Sequence, residues 1–367
     1  MRIAVIRKGC GLNRGGAERY CANLCRCMAE LGHEVYVLAE DCDATLHPAI
    51  MHVPVVSKGL TSSALNRSFH VNAQKVLATL KVDRVYALSR SWPADAFRVS
   101  DPLHSIWLEL RYPGRVRNFL ERLNPRNRAI LDLEKNICTP AHTKVIIANS
   151  MLVKKQLLAA YPFPADRIRV VYNGVDLEKF SPKRNSWPRR ELQLLFVAQD
   201  FRRKGLAIVL EVLAGLKAAA LSCRLKVVGG DERRPFVRLA KVLGVTGEVD
   251  FVGPSRAVED CYRAADLLVF PTRSDPFANV CLEALACGCP VVTTSMNGAA
   301  EILKEGETGF VVDEGPDMAA QMAARIMAFE ALSPDRRKKM KMDCRRSAEP
   351  FTILRNARET LAILEDL

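Results

Sequence analysis

The chain has 367 residues, 49% apolar and 26% charged. That is an ordinary globular composition in a chain too long for one hydrophobic core, so two domains are expected. A formal net charge of +13 calls for an acidic partner, be it nucleic acid, anionic lipid or a phosphorylated substrate, and charge alone does not choose among them.

The apolar run at residues 1–6 meets Arg7 and Lys8 too soon to be the core of a signal peptide, and no run approaches the ~18 apolar residues of a spanning helix. A cytosolic location is the expectation. The twelve cysteines are scattered and several lie in apolar runs, which points to reduced thiols. Cys21, Cys25 and Cys27 form the only tight cluster along the sequence, with Cys287 and Cys289 as a second group. Neither has the paired CxxC spacing of a zinc site, so both are read as small buried packing residues.

In chain order, residues 2–6 have a strand pattern, 11–16 a glycine loop, 17–31 a helix ending at Gly32, and 34–38 a second strand. This is the β-loop-α-β opening of an α/β fold. Further strands are expected at 51–55, 84–88, 144–148 and 168–172, with covering helices around 71–80 and 151–160. After Asn173-Gly174-Val175-Asp176 the periodicity stops, and the polar, basic, proline-containing stretch 181–188 reads as an interdomain linker. The pattern restarts with a strand at 193–198, a loop holding Arg202-Arg203-Lys204-Gly205, a helix at 206–218 and a strand at 224–228 that runs into Gly229-Gly230-Asp231. The same order of elements opens the chain, so two doubly wound domains in tandem are expected. Strand 249–252, helix 258–264 and strand 267–270 lead to the stretch 273–285. Beyond it come strands at 291–294 and 309–312, a helix at 318–331 and, past Pro350, a final helix at 353–364.

Asp275-Pro276 has the form of a helix start, with Asp as N-cap and Pro at the first helical position. Glu283 sits in the otherwise apolar run 280–286, where an unpaired carboxylate is costly, so it requires a protein or ligand partner. A helix from Pro276 sets Glu283 roughly 12 Å along the axis from Asp275, at about 1.5 Å per residue, which suits the distance from sugar to ribose in a sugar nucleotide. The amides of Phe277, Ala278 and Asn279 are then free helix-terminal donors where a diphosphate would sit.

Arg203 and Lys204 follow a strand end and open a helix, the place where ligands bind in open α/β sheets. Two cations there neutralise a leaving diphosphate in the role of a metal ion. Gly15 and Gly16 let another group approach the backbone ahead of the first helix, although with Gly11 they do not make G-x-G-x-x-G and a plain tight turn explains them as well. Asp101 and His104 share one loop, either as an Asp-Pro turn beside a surface His or as a polar pair facing a cleft. Between 107 and 138, basic residues such as Arg115, Arg117 and Arg122 interleave with Phe119 and Leu120. That segment fits either a surface resting on anionic headgroups or a solvated helix face, and the basic run 336–341 reads as a solvated face.

Gly15-Gly16-Ala17-Glu18-Arg19, Ser100-Asp101-Pro102-Leu103-His104 with Trp107-Leu108-Glu109, Asn173-Gly174-Val175-Asp176, the segment 200–205 and the segment 274–285 follow one another in matching order and spacing. In this the chain resembles the retaining GT-B glycosyltransferases of family four over essentially its full length, with a marked likeness to bacterial glucosyltransferases of the lipopolysaccharide core. The resemblance implies an α/β fold of two Rossmann-like doubly wound domains facing a central cleft. Residues 1–178 would form the acceptor-side domain, 179–190 a linker, 191–349 the sugar-nucleotide domain, and 350–367 a C-terminal helix crossing back to the N-terminal domain. It assigns Glu283 to the ribose and Arg203 and Lys204, as catalytic cations, to the diphosphate. Asp275 falls to the donor-sugar hydroxyls, Phe277, Ala278 and Asn279 to donor binding, Gly15 and Gly16 to an approach on the donor, and Asp101 and His104 to catalysis beside sugar and acceptor. No metal and no cofactor are implied, the nucleotide-diphosphate sugar being a co-substrate. Asp275 stands where the family's E-x7-E pattern has its first Glu, and its shorter arm bears on the donor sugar.

The resulting reading is a metal-independent retaining hexosyltransferase that moves a hexose, from UDP-glucose in the first instance, to a phosphorylated or lipid-linked glycan of the lipopolysaccharide core or a related kind. It would be cytoplasmic and peripheral on the cytoplasmic face of the inner membrane, touching an anionic membrane surface through 107–138 and no nucleic acid. Two other readings stay open. A GT-B sugar-nucleotide epimerase would turn over donor without acceptor, and a basic nucleic-acid binder would show steeply salt-dependent binding, although no recognised module speaks for it.

Overall fold

The computed structural model describes residues 1–12, 15–43, 45–183 and 191–367. The chain divides into two compact units, one of Met1–Gly174 with Ile353–Leu367, the other of Val175–Thr352.

The first unit contains β1 (Arg2–Ile6), β2 (Gly9–Cys10), α1 (Gly16–Glu30), β3 (Glu34–Ala39), β4 (Asp41–Cys42), β5 (Ile50–Pro54), α2 (Ser62–Leu77), β6 (Arg84–Ala87), β7 (Ala94–Val99), α3 (His104–Arg111), α4 (Arg115–Leu123), α5 (Pro125–Ile137), β8 (Thr143–Ala148), α6 (Met151–Ala160) and β9 (Ile168–Val170). Its main sheet is parallel, in the order β5-β3-β1-β6-β7-β8-β9, and β2 and β4 make a separate two-stranded ribbon. Ile3, Ala4, Val5 and Ile6 are all buried, a continuous run rather than an alternation, because helices cover both faces of a parallel sheet. From β1 the chain winds outward to β3 and β5, then returns to β6 and winds the other way. That reversal makes a topological switch point between β1 and β6.

β7 was not legible in the sequence because it carries Asp95 and Arg98. Arg98 is nonetheless buried, and its guanidinium donates to Asn173 Oδ1 at 2.6 Å and to the Val171 carbonyl at 3.0 Å, and lies 4.6 Å from the Tyr20 ring centroid.

The second unit repeats the plan with β10 (Leu192–Val197), α7 (Leu206–Ala218), β11 (Cys223–Val228), α8 (Arg234–Val242), β12 (Val249–Gly253), α9 (Val258–Ala264), β13 (Leu267–Phe270), α10 (Asn279–Ala286), β14 (Val291–Thr294), β15 (Gly309–Val312), α11 (Met318–Glu330) and α12 (Pro334–Ala348). The sheet is parallel in the order β12-β11-β10-β13-β14-β15, so its switch point lies between β10 and β13.

Part of the expected linker, 179–183, packs within this unit. Phe180 is buried edge-on to Tyr262 at 6.1 Å, and Arg263 donates to the carbonyls of Lys179 and Ser181, each at 2.7 Å. Its remainder, 184–190, lies outside the described residues. The basic run 336–341 sits on α12 and is mostly exposed, a solvated face.

The last helix, α13 (Ile353–Glu365), belongs to the first unit. Ala357, Leu361 and Leu364 join the core formed by Ile3, Val5, Leu24 and Met28. Asn356 accepts from the Tyr20 hydroxyl at 2.9 Å and donates to the Tyr172 carbonyl at 2.6 Å.

The start of α7 depends on one glycine. Gly205 has φ +87°, and a Cβ there would come within 2.3 Å of the Pro271 carbonyl oxygen. Gly205→Ala is expected to lower the stability of the second unit by about 2 kcal/mol or more. Gly230→Ala, where an added Cβ meets nothing within 4 Å, should change it by less than about 0.5 kcal/mol. Urea unfolding of the two variants measures the difference, and equal effects would contradict this account of Gly205.

Candidate active site

In the second unit the loops after β10, β13 and β14 leave the carboxyl ends of neighbouring strands, on both sides of the switch point. The loop after β10 is shaped by Asp200. Its backbone carbonyl accepts from the Lys204 amide at 3.0 Å, and its carboxylate accepts from the Arg203 amide at 2.9 Å and from Arg203 Nε at 3.0 Å. From the next loop, Asp231 accepts the Phe201 amide at 2.7 Å. The turn so fixed sends Lys204 across the switch point, where its ammonium pairs with the Asp275 carboxylate. Both side chains are largely out of water, 13% and 9% exposed, and Lys204 Nζ lies 5.6 Å from the Phe270 ring centroid. Arg203 is more exposed and is held to its own turn by Asp200.

Asp275 is not the helix cap that the Asp-Pro pair suggests. α10 begins at Asn279 behind Ala278, because residue 275 is drawn into extended pairing with the loop after β14. Its amide donates to the Met296 carbonyl at 3.0 Å, and its carbonyl accepts the Gly298 amide at 2.9 Å. The amides of Phe277 and Ala278 are not free donors either. The first donates to Asp275 Oδ1 at 3.3 Å and the second to Asn297 Oδ1 at 3.1 Å, and both residues are buried. With helix only from Asn279 onward, the axial rise expected between Asp275 and Glu283 does not apply.

Glu283 has the partner its burial requires. The Tyr262 hydroxyl, from α9, donates to Glu283 Oε2 at 2.9 Å. Tyr262 and Asn297 are the residues that sequence reasoning missed in this unit. Asn297 is buried and ties four groups together: its Oδ1 accepts from Ala278 and Ala299 amides at 3.1 and 3.0 Å, and its Nδ2 donates to Thr293 Oγ1 at 3.0 Å and Cys281 Sγ at 3.3 Å. Its only sequence signal is the Asn-Gly turn after β14.

In the first unit a cavity of about 190 Å³ opens at the carboxyl ends of β1, β6 and β7, lined in part by Arg7, Lys8, Glu18, Arg90, Arg98 and Asp101. Arg7 donates to the Leu88 carbonyl at 2.9 Å and pairs with Glu18 at 3.2 Å, and Lys8 Nζ donates to Asn66 Oδ1 at 2.7 Å. Burial lowers the Lys8 pKa, partly offset by the charge of Glu40.

Asp101 is exposed at the cavity wall, but His104 does not share that wall with it. His104 opens α3, stacks on Trp107 at 5.4 Å, and sets Nε2 3.1 Å from Asn127 Oδ1. Burial lowers its pKa despite the Asn127 hydrogen bond, so the ring is neutral at pH 7. The carboxylate of buried Glu134, on α5, caps α3 by accepting the amides of His104 and Ser105 at 2.5 and 3.2 Å, and it also accepts the Ser105 and Tyr161 hydroxyls at 2.8 and 2.5 Å. Gly15 precedes α1 as its cap and Gly16 is its first residue, with the Arg19 amide donating to the Gly15 carbonyl at 3.0 Å. The segment 107–138 lies on α3, α4 and α5, and α4 buries none of its residues, leaving Val116 74% and Phe119 62% exposed.

The chain matches the family model described as glycosyl transferases group 1 over residues 178–346, and that of glycosyltransferase family 4 over residues 14–179. It is 27% identical over 315 residues to the lipopolysaccharide glucosyltransferase WaaG of Escherichia coli (strain K12), covering 82% of each chain. It is 30% identical over 363 residues to D-inositol 3-phosphate glycosyltransferase 2 of Catenulispora acidiphila, covering 87% of this chain and 83% of that one. The crystal structure of WaaG, a glycosyltransferase involved in lipopolysaccharide biosynthesis, has the same fold, with a TM-score of 0.84 at 24% identity over 99% of both chains. With two doubly wound units and a match to family models in each, the chain belongs to the family-four glycosyltransferases of GT-B fold.

Proposed function

We propose that this glycosyltransferase moves a hexose, glucose from UDP-glucose in the first instance, to a glycan of the lipopolysaccharide core or a related kind, with retention of anomeric configuration. The observation that carries the reading is the Lys204–Asp275 pair at the second unit's switch point, with Arg203 one residue away and the Tyr262–Glu283 pair on α9 and α10, the helices before and after β13. A departing nucleoside diphosphate gathers negative charge on its β-phosphate, and fixed cations at that point lower the barrier without reorganising. Arg203 and Lys204 take this role, which requires no metal ion or cofactor. Lys204 is preorganised for it, since Asp275 already fixes its ammonium.

Asp275 serves the donor-sugar hydroxyls, and its short arm suits a carboxylate that must also hold a lysine. Glu283, oriented by Tyr262, takes the ribose hydroxyls, and the segment 277–279 lines the donor side. The acceptor hydroxyl attacks from the face that the diphosphate leaves, and the departing phosphate removes its proton.

The acceptor falls to the first unit. Arg7, Lys8 and Arg98 around its cavity favour an acceptor bearing phosphate, and Asp101 supplies a carboxylate for its hydroxyls. His104, neutral and steadied by Asn127, is a catalytic candidate beside it, and Gly15 and Gly16 allow close backbone approach at the start of α1.

Among the described residues no helix is long and apolar enough to cross a membrane. We assign instead a peripheral, cytoplasmic location in which α4 rests on anionic lipid. Val116, Phe119, Leu120 and Leu123 form one exposed apolar face at helical spacing, with Arg115, Arg117 and Arg122 around it.

Lys204→Ala is expected to lower kcat by about a hundredfold or more with the circular dichroism spectrum unchanged, measured with donor and acceptor glycan. Near-normal turnover would remove Lys204 from the mechanism. The protein should sediment with anionic but not neutral vesicles, and Phe119→Glu should release it. Equal sedimentation with both vesicle types, or none with either, would sink the membrane assignment.

A further inference from the structure

Cys10 on β2 and Cys21 and Cys25 on α1 bring their Sγ atoms within 4.8 Å of one another, and all three are 0% exposed. Cys21 and Cys25 are one helical turn apart on the same face, with their sulfurs 4.0 Å apart. In a tetrahedral thiolate site with metal–sulfur bonds of about 2.3 Å, sulfurs lie about 3.8 Å apart. The ribbon offers a fourth thiol, Cys42, half-buried and outside that group of three. Cys42 is in register with Cys10 across the parallel β2–β4 pair, so the two side chains leave on the same face. The Cys42 thiol contacts the Asp43 carbonyl at 3.8 Å, and a change of χ1 would turn it toward the other three sulfurs.

Cys27, which the sequence groups with Cys21 and Cys25, is two positions beyond Cys25 on α1 and so leaves the helix on another face. The ribbon that supplies Cys10 and Cys42 has two residues per strand, too short for any periodicity to reveal.

We propose that Cys10, Cys21, Cys25 and Cys42 form a structural site for a thiophilic cation, with Zn²⁺ as its occupant. Four protein thiolates leave no open position, so the ion does no chemistry on substrate. It ties β2 and β4 to α1 and so fixes the elements flanking the Gly15-Gly16 start of that helix. Its binding releases the thiol protons.

The test uses the full chain, purified under reduction from zinc-supplemented medium. Inductively coupled plasma mass spectrometry should find about one zinc per chain. Co²⁺ exchanged into the site should give thiolate-to-cobalt charge transfer and the visible bands of a tetrahedral ion. Cys10→Ser, Cys21→Ser, Cys25→Ser and Cys42→Ser should each lower metal affinity about tenfold or more, while Cys27→Ser keeps it. To guard against a cluster variant that fails to fold, the wild type is also stripped by chelator and reloaded, with the visible cobalt bands as readout. A wild-type chain that is folded by circular dichroism yet takes up neither zinc nor cobalt overturns the proposal. So does a Cys27→Ser chain that loses metal as the cluster variants do, and stoichiometric iron or copper in place of zinc overturns the zinc assignment.

Discussion

The second unit's site depends on one ion pair. Lys204 and Asp275 come from loops on opposite sides of the switch point, and each side chain is largely withdrawn from water. A charge left alone in such a place is costly, so each residue lessens the cost of burying the other. Everything around them fixes their meeting. Asp200 shapes the turn that presents Lys204, Gly205 lets α7 start against Pro271, and Asn297 with Gly298 and Met296 holds the Asp275 segment in extended form. A pair so determined is a cation and a carboxylate held ready at the place where an open α/β sheet accepts a ligand.

The same architectural logic operates within each unit. In the first, the chain reverses between β1 and β6, and the cavity lined by Arg7, Lys8, Arg98 and Asp101 opens at the carboxyl ends of these strands and of β7. In the second, the corresponding ends carry Arg203, Lys204 and Asp275. Strand-end loops are free to vary while the sheet below stays apolar and continuous, and the two units have used that freedom to gather cations. The chain's excess of positive charge thus has a local meaning as well as a global one.

Most strands were legible because a sheet buried on both faces leaves uninterrupted apolar runs, as in residues 3–6 and 267–270. β7 was hidden because Arg98 is paid for by Asn173, Val171 and Tyr20, contacts that no local window contains. The Asp-Pro pair was a sound local signal overridden by tertiary pairing with Asn297, and α10 starts later as a result. The need of Glu283 for a partner could be argued from its apolar neighbours, but the partner's identity could not, since Tyr262 lies on another helix. Likewise the close sequence spacing of Cys21, Cys25 and Cys27 was visible, whereas the true third member of the cluster, Cys10, arrives from a ribbon.

The proposed reaction is sugar transfer from a nucleotide-diphosphate donor with retention, driven by charge stabilisation of the leaving diphosphate at Arg203 and Lys204. It is tested most directly by incubating the protein with UDP-α-glucose and a lipopolysaccharide-core acceptor and reading the anomeric coupling of the new linkage by proton NMR. The expected products are an α-linked glucose on the acceptor and free UDP. A β-linked product, or donor converted without any acceptor present, would contradict that reaction.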